Sequence, residues 1–107
     1  MPLQIEIQAD SIRVFLSGEI DHHAARELRE EIDDAVKKAM PKVLYIDFRE
    51  VSFMDSSGIG LVMGRYKLMQ SLGGEVRVTN VPVHIRRVMR VSGLDRLAVI
   101  DNGGRSE

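Results

Sequence analysis

The chain contains no cysteine, which excludes disulfide staples and thiolate-bound zinc and suits a reducing compartment. Tryptophan is also missing, and aromatic residues make up only 5% of the sequence, so any core must be built mainly from aliphatic side chains. No uncharged stretch approaches the about twenty residues needed to span a bilayer. The opening MPLQIEIQAD lacks the basic start and apolar run of a secretory leader. The expected location is therefore cytoplasmic, with no membrane partner. An excess of one charge is lacking too: the formal net charge is −1 over 107 residues, which argues against nucleic acid as a main partner.

What is present is an ordinary globular composition, 44% hydrophobic and 29% charged. The length suits a single domain over residues 1–107 with one modest core. Charge is unevenly spread. Residues 1–55 carry seven basic and twelve acidic side chains, and residues 56–107 carry eight and four. Arg77, Arg86, Arg87, Arg90 and Arg96 lie in the later part, as expected where charged helix faces differ in sign.

LQIEIQ and SIRVFLSG alternate apolar and polar side chains around a short polar turn, which predicts an antiparallel hairpin with one buried face, its second strand ending at Gly18. From His22 to Met40, Ala25, Leu28, Ile32, Ala35, Val36 and Ala39 recur at helical spacing. Asp21 suits the N-cap and Pro41 stops the helix. The nearly continuous apolar run VLYIDF, Val43 to Phe48, predicts a strand covered on both faces. A helix from about Ser57 to Leu72, a strand at EVRVTN, a third helix at VHIRRVMRV capped by Gly93, and a strand at LAVID complete the chain. Residues 102–107 read as a flexible tail. The fold class is α/β: a mixed sheet of about five strands, with an N-terminal antiparallel hairpin and the remainder mostly parallel, carrying three to four helices.

The unusual stretch is SFMDSSGIGLVMGRY, Ser52 to Tyr66. It sets glycines at positions 58, 60 and 64 in an apolar helix, although each glycine costs a helix about 1 kcal/mol relative to alanine. A dinucleotide-type phosphate loop is one reading. It is weakened by a strand that should end near Phe48, leaving a long loop, and by a following strand that ends in Asn80 rather than an acid. Hydrolysis is a second reading, since Ser56, Ser57, Asp21, His22, His23 and His84 are present. The G-x-S-x-G elbow is missing, however, and His22-His23 lacks the i, i+4 spacing of a helical metal pair. A third reading makes the serines the point of the site. The loops after the second and third strands should emerge together, where partners meet open α/β sheets, so that GEIDHH and SFMDSSGIG share one rim. Ser57 would sit at a helix start, where backbone amides and the helix dipole tolerate negative charge. A phosphate there adds roughly −1.5 to −2 charge to a rim bearing Asp21 and Asp55. Gly60 and Gly64, at i, i+4, would let another backbone approach. Spacing leaves open whether that backbone is the protein's own sheet or a partner's.

SFMDSSGIGLVMGRYK, GEIDHHAA and VSGLDR together strongly resemble the anti-sigma-factor antagonists of endospore-forming bacteria, within the wider STAS domain family. The resemblance runs over nearly the whole chain. It implies a STAS-type single domain without catalysis, cofactor or metal of its own. It also implies two partners: an anti-sigma factor with serine kinase activity, itself nucleotide-bound, and a serine phosphatase. The unphosphorylated form would bind the kinase and release a sporulation sigma factor, and phosphorylation of the second serine of D-S-S-G, here Ser57, would end binding. The implied docking surface comprises Asp21, His22, Asp55, Ser56, Ser57, Gly58, Gly60, Leu61, Gly64 and Arg65, on a chain that is monomeric when free. The alternative is a small nucleotide-binding or hydrolytic α/β protein using the same rim.

Overall fold

Alternation in the first twenty residues produces a hairpin. β1 (Leu3–Ile7) runs antiparallel to β2 (Ser11–Ile20), with Leu3 opposite Leu16 and Ile7 opposite Ile12. The structure is a computed structural model that describes residues 3–96 and 99–100. After the hairpin come α1 (His22–Ala39), β3 (Val43–Met54), α2 (Ser56–Ser71), β4 (Glu75–Thr79), α3 (Val83–Ser92) and β5 (Val99–Ile100). The strands form one sheet in the order β1-β2-β3-β4-β5, parallel at every step after the hairpin. The expected tail over residues 102–107 lies outside the described residues, as does most of the expected LAVID strand.

Three parallel steps that all advance in the same direction place their right-handed crossovers, and hence all three helices, on one face. Burial follows that geometry. Ile12, Val14 and Leu16 of β2, Leu44, Ile46 and Phe48 of β3, and Val76 and Val78 of β4 are buried. Leu28, Ile32 and Val36 of α1, Val62 and Met69 of α2, and Ile85 and Met89 of α3 close over them. Each such side chain contributes about 1.5–3 kcal/mol relative to exposure.

The expectation that β3 is covered on both faces is therefore corrected. Val43 and Tyr45 are only half-buried, and the Arg13 guanidinium lies 4.2 Å from the centre of the Tyr45 ring on the uncovered side. Asp47, on that side as well, is 6% exposed. It accepts hydrogen bonds from the Arg49 amide at 2.8 Å and from Asn80 Nδ2 at 2.6 Å. A continuous apolar run conceals this, because Tyr and Asp interrupt it at alternate positions of one face.

Both central strands are also longer than their alternation suggests. β2 does not end at Gly18 but continues to Ile20, and β3 continues past Phe48 to Met54. Their pairing slips between Phe15 and Ser17 and again between Gly18 and Glu19, β3 supplying one extra residue each time. Gly18, on β2 beside the second slip, has φ +78, a left-handed conformation that glycine adopts without strain.

Candidate functional site

β2 and β3 end side by side, with Ile20 opposite Met54 and the Asp55 amide donating to the Ile20 carbonyl at 3.4 Å. Each strand then passes into a helix through a single aspartate. Asp21 (φ −98, ψ −173) accepts from the Ala24 amide at 2.9 Å and caps α1; Asp55 (φ −102, ψ −166) accepts from the Ser57 amide at 2.8 Å and caps α2. The two junctions are near-copies. Each carboxylate satisfies an amide that the first helical turn would leave unpaired. GEIDHH and MDSSG thus share one rim.

The neighbouring serines face different grooves. Helical geometry separates consecutive side chains by about 100°, and α2 lies between α1 and α3. Ser57, half-buried, opens on the α1–α2 groove with Gly60 and Leu61, facing His22, Ala25, Arg26 and Arg29. Ser56, exposed, opens on the α2–α3 groove with Ile59, facing His84, Arg87, Val88 and Val91. Being flanked on both sides and seated on the sheet explains why α2 is apolar nearly all round.

The glycines divide by role. A Cβ on Gly58 would lie 2.1 Å from Met54 Cγ, so this glycine lets α2 close onto the end of β3. A Cβ on Gly60 or Gly64 would meet nothing within 4 Å. The protein's own sheet therefore does not approach them.

Two residues expected on the docking surface are internal. Gly58 is buried against Met54, and Arg65 is 6% exposed. Arg65 Nε stands 2.8 Å from Asp33 Oδ1 and ties α2 to α1. Burial lowers the Arg65 pKa; Asp33 opposes that effect and Arg29 adds to it. Leu61 is also buried, at 4%, though it forms the groove floor. Asp21, His22, Ser56 and Gly60 are exposed, and Asp55, Ser57 and Gly64 are half-buried.

Arg26 and Arg29 escaped the sequence reading, as did the place of Ala25 in the groove. Their signal was available: with His22 they stand at i, i+3, i+4 and i+7, one face of α1. That face reads as solvent-exposed until α2 is set beside it.

The competing chemistries fare poorly in this geometry. The expected long loop after β3 is a single residue, so loop length does not count against a phosphate cradle. What counts is that the Ser57 amide is bound by the Asp55 side chain and the Gly58 amide by the Asp55 carbonyl at 3.0 Å. His84 Nε2 lies 3.0 Å from the Ser52 carbonyl, and among the described residues no hydrogen bond links His22 to Ser57 or Asp21. Among the described residues, no group of three His, Asp or Glu is placed to hold a metal ion, and no helix is long and apolar enough to cross a membrane.

The profile of the STAS domain matches residues 3–103. The anti-sigma F factor antagonist of Paenibacillus polymyxa is 37% identical over 102 residues, covering 94% of this chain and 87% of that protein. Among solved structures, the anti-sigma factor antagonist SpoIIAA in its unphosphorylated form superposes with a TM-score of 0.81 at 32% identity, over 92% of this chain and 86% of the other. The Bacillus cell fate determinant SpoIIAA in its phosphorylated form gives 0.73 at 32% identity, over 92% and 89%.

Proposed function

This chain belongs to the STAS domain family, and from that membership we propose that it is an anti-sigma-factor antagonist whose docking is switched off by a phosphate on Ser57. Unphosphorylated, it binds an anti-sigma factor that is also a serine kinase and frees a sporulation sigma factor. The kinase moves the γ-phosphoryl group of ATP to Ser57 Oγ, which gives up its proton, and ADP leaves. A serine phosphatase resets the chain by hydrolysing that ester to serine and inorganic phosphate. The protein is a monomer in the cytoplasm when free and is not itself an enzyme.

The observation that carries this reading is the position of Ser57 beside Gly60. The hydroxyl lies in the first turn of α2 at the lip of a groove, and a turn further on the helix has no side chain to hold a partner away. Asp21, His22, Asp55, Ser56, Leu61 and Gly64 complete the contact surface, with Gly58 and Arg65 supporting it from behind. Burying a dianion at an interface costs several kcal/mol unless it is paired. Each 1.4 kcal/mol is about tenfold in affinity, so one phosphate is enough to convert a binder into a non-binder. The phosphorylated form of a relative at 32% identity supports the same reading.

Incubation with labelled ATP alone, and then with the anti-sigma kinase added, separates this function from a nucleotide-binding or hydrolytic one. Label on Ser57 only with the kinase present, located by mass spectrometry, is the expected result. Ser57→Ala should keep its affinity for the kinase, whereas Ser57→Asp should lose at least about tenfold, the equivalent of 1.4 kcal/mol. Equal binding by the two variants would overturn the switch.

A further inference from the structure

We propose that the α1–α2 groove is the chain's own receptor for the phosphate on Ser57, with Arg26 and Arg29 closing on it from α1. The inference rests on the reading that Ser57 is phosphorylated, and says where that phosphate then goes.

The groove, about 410 Å³ in volume, has Ser57 on one wall and His22, Arg26 and Arg29 on the other. It exists because the residues meeting at its middle are small. Ala25 stands on α1, and Gly60 on α2 offers open space where a side chain would begin. Both arginines are exposed, and neither forms an ion pair with the described residues.

The acids that make the rim look negative in sequence are engaged elsewhere. Asp21 and Asp55 cap helix amides, and Asp33 holds Arg65. Arg29 also lies close enough to the buried Arg65 for the two cations to oppose each other. Arg26 and Arg29 thus face Ser57 across the groove as cations without an acidic partner among the described residues, while the Asp21 and Asp55 carboxylates keep their charge on the helix-cap side of the rim. A phosphoserine has three strong acceptor oxygens, and a pair of guanidinium groups matches them with charge-assisted hydrogen bonds.

Because pairing lessens the cost of burying the phosphate, the switch then acts by masking as well as by whatever charge the two arginines leave uncompensated. Phosphorylation removes from the exposed surface two cations that the unphosphorylated form offers to a partner.

The test installs phosphoserine at position 57 by genetic encoding, so that it does not depend on any kinase. Phosphorus NMR follows the second ionisation of the phosphate, ordinarily near 6. In the otherwise unaltered chain it should fall by about one unit, the low end of what a nearby opposite charge produces. In Arg26→Gln/Arg29→Gln it should return to the ordinary value. Arg87→Gln, on the α2–α3 groove, should leave the lowered value in place, which separates local pairing from bulk charge. Phosphorylation should also raise the melting temperature of the unaltered chain, and raise it less in the double variant. An ionisation that is the same with and without the two arginines would overturn the receptor. Should the kinase nevertheless label Ser57, the antagonist function would stand without it; absence of labelling with an intact receptor would do the reverse.

Discussion

Arg65 Nε lies 2.8 Å from Asp33 Oδ1 across the seam between α2 and α1. The pair locks together the two helices whose upper ends carry the site. Its members differ in exposure, 7% for the arginine side chain and 23% for the aspartate, so removing the aspartate leaves a buried cation without its counter-charge. Asp33→Ala should lower stability by about 2 kcal/mol, less than the roughly 3–5 kcal/mol of a wholly buried pair. Asp33→Ala/Arg65→Met should recover a good part of that loss. Urea unfolding midpoints check both, with the exposed Asp34→Ala as reference; equal costs for Asp33 and Asp34 would contradict the buried-pair account.

The glycines of α2 should respond in opposite directions. A Cβ at Gly60 meets open space, so Gly60→Ala removes only the conformational disadvantage of glycine and should stabilise the chain by about 0.5–1 kcal/mol. The same change should weaken binding to the anti-sigma kinase. Gly58→Ala drives a methyl group into Met54 and should cost about 1–3 kcal/mol through overpacking. Thermal melts and a binding titration on both variants decide the matter: a destabilised Gly60→Ala would mean that the glycine serves the fold and not the partner.

Asn80 has φ +54 and holds the carboxylate of buried Asp47. Asn80→Ala therefore loses a hydrogen bond to a charged group and keeps a Cβ in the left-handed region without asparagine's local polar stabilisation there. Asn80→Gly loses only the bond. The alanine variant should be less stable than the glycine variant by about 1 kcal/mol, although alanine is ordinarily the better tolerated residue. Denaturation curves for the two give the comparison directly, and the reverse order would show that backbone strain at this turn is unimportant.

Much of this architecture is written locally. Alternation gave the hairpin away, period and the Asp21 cap marked α1, and Gly93, at φ +81, ends α3 as its sequence indicates. The juxtaposition of GEIDHH and MDSSG followed from topology. What escaped depends on contacts distant in sequence. Arg49 and Glu50 read as the start of a long loop, yet they lie in β3, whose pairing with β2 continues past them through two slips. Arg65 resembles any surface charge until Asp33 is brought beside it. Arg26 and Arg29 gain meaning only from the helix opposite, which no window along α1 contains.

A single residue, Asp55, joins the end of β3 to the start of α2, and its amide is also tied to Ile20 on the neighbouring strand. Many kinase substrates are supple peptides drawn into a cleft, but Ser57, the proposed acceptor, is bolted to the middle of a sheet. A kinase acting there would have to mould itself to the substrate, and an added phosphate would have no slack through which to drag the backbone. In the proposed switch, information would be stored as charge on an unmoved frame, to be thrown and reversed without refolding anything.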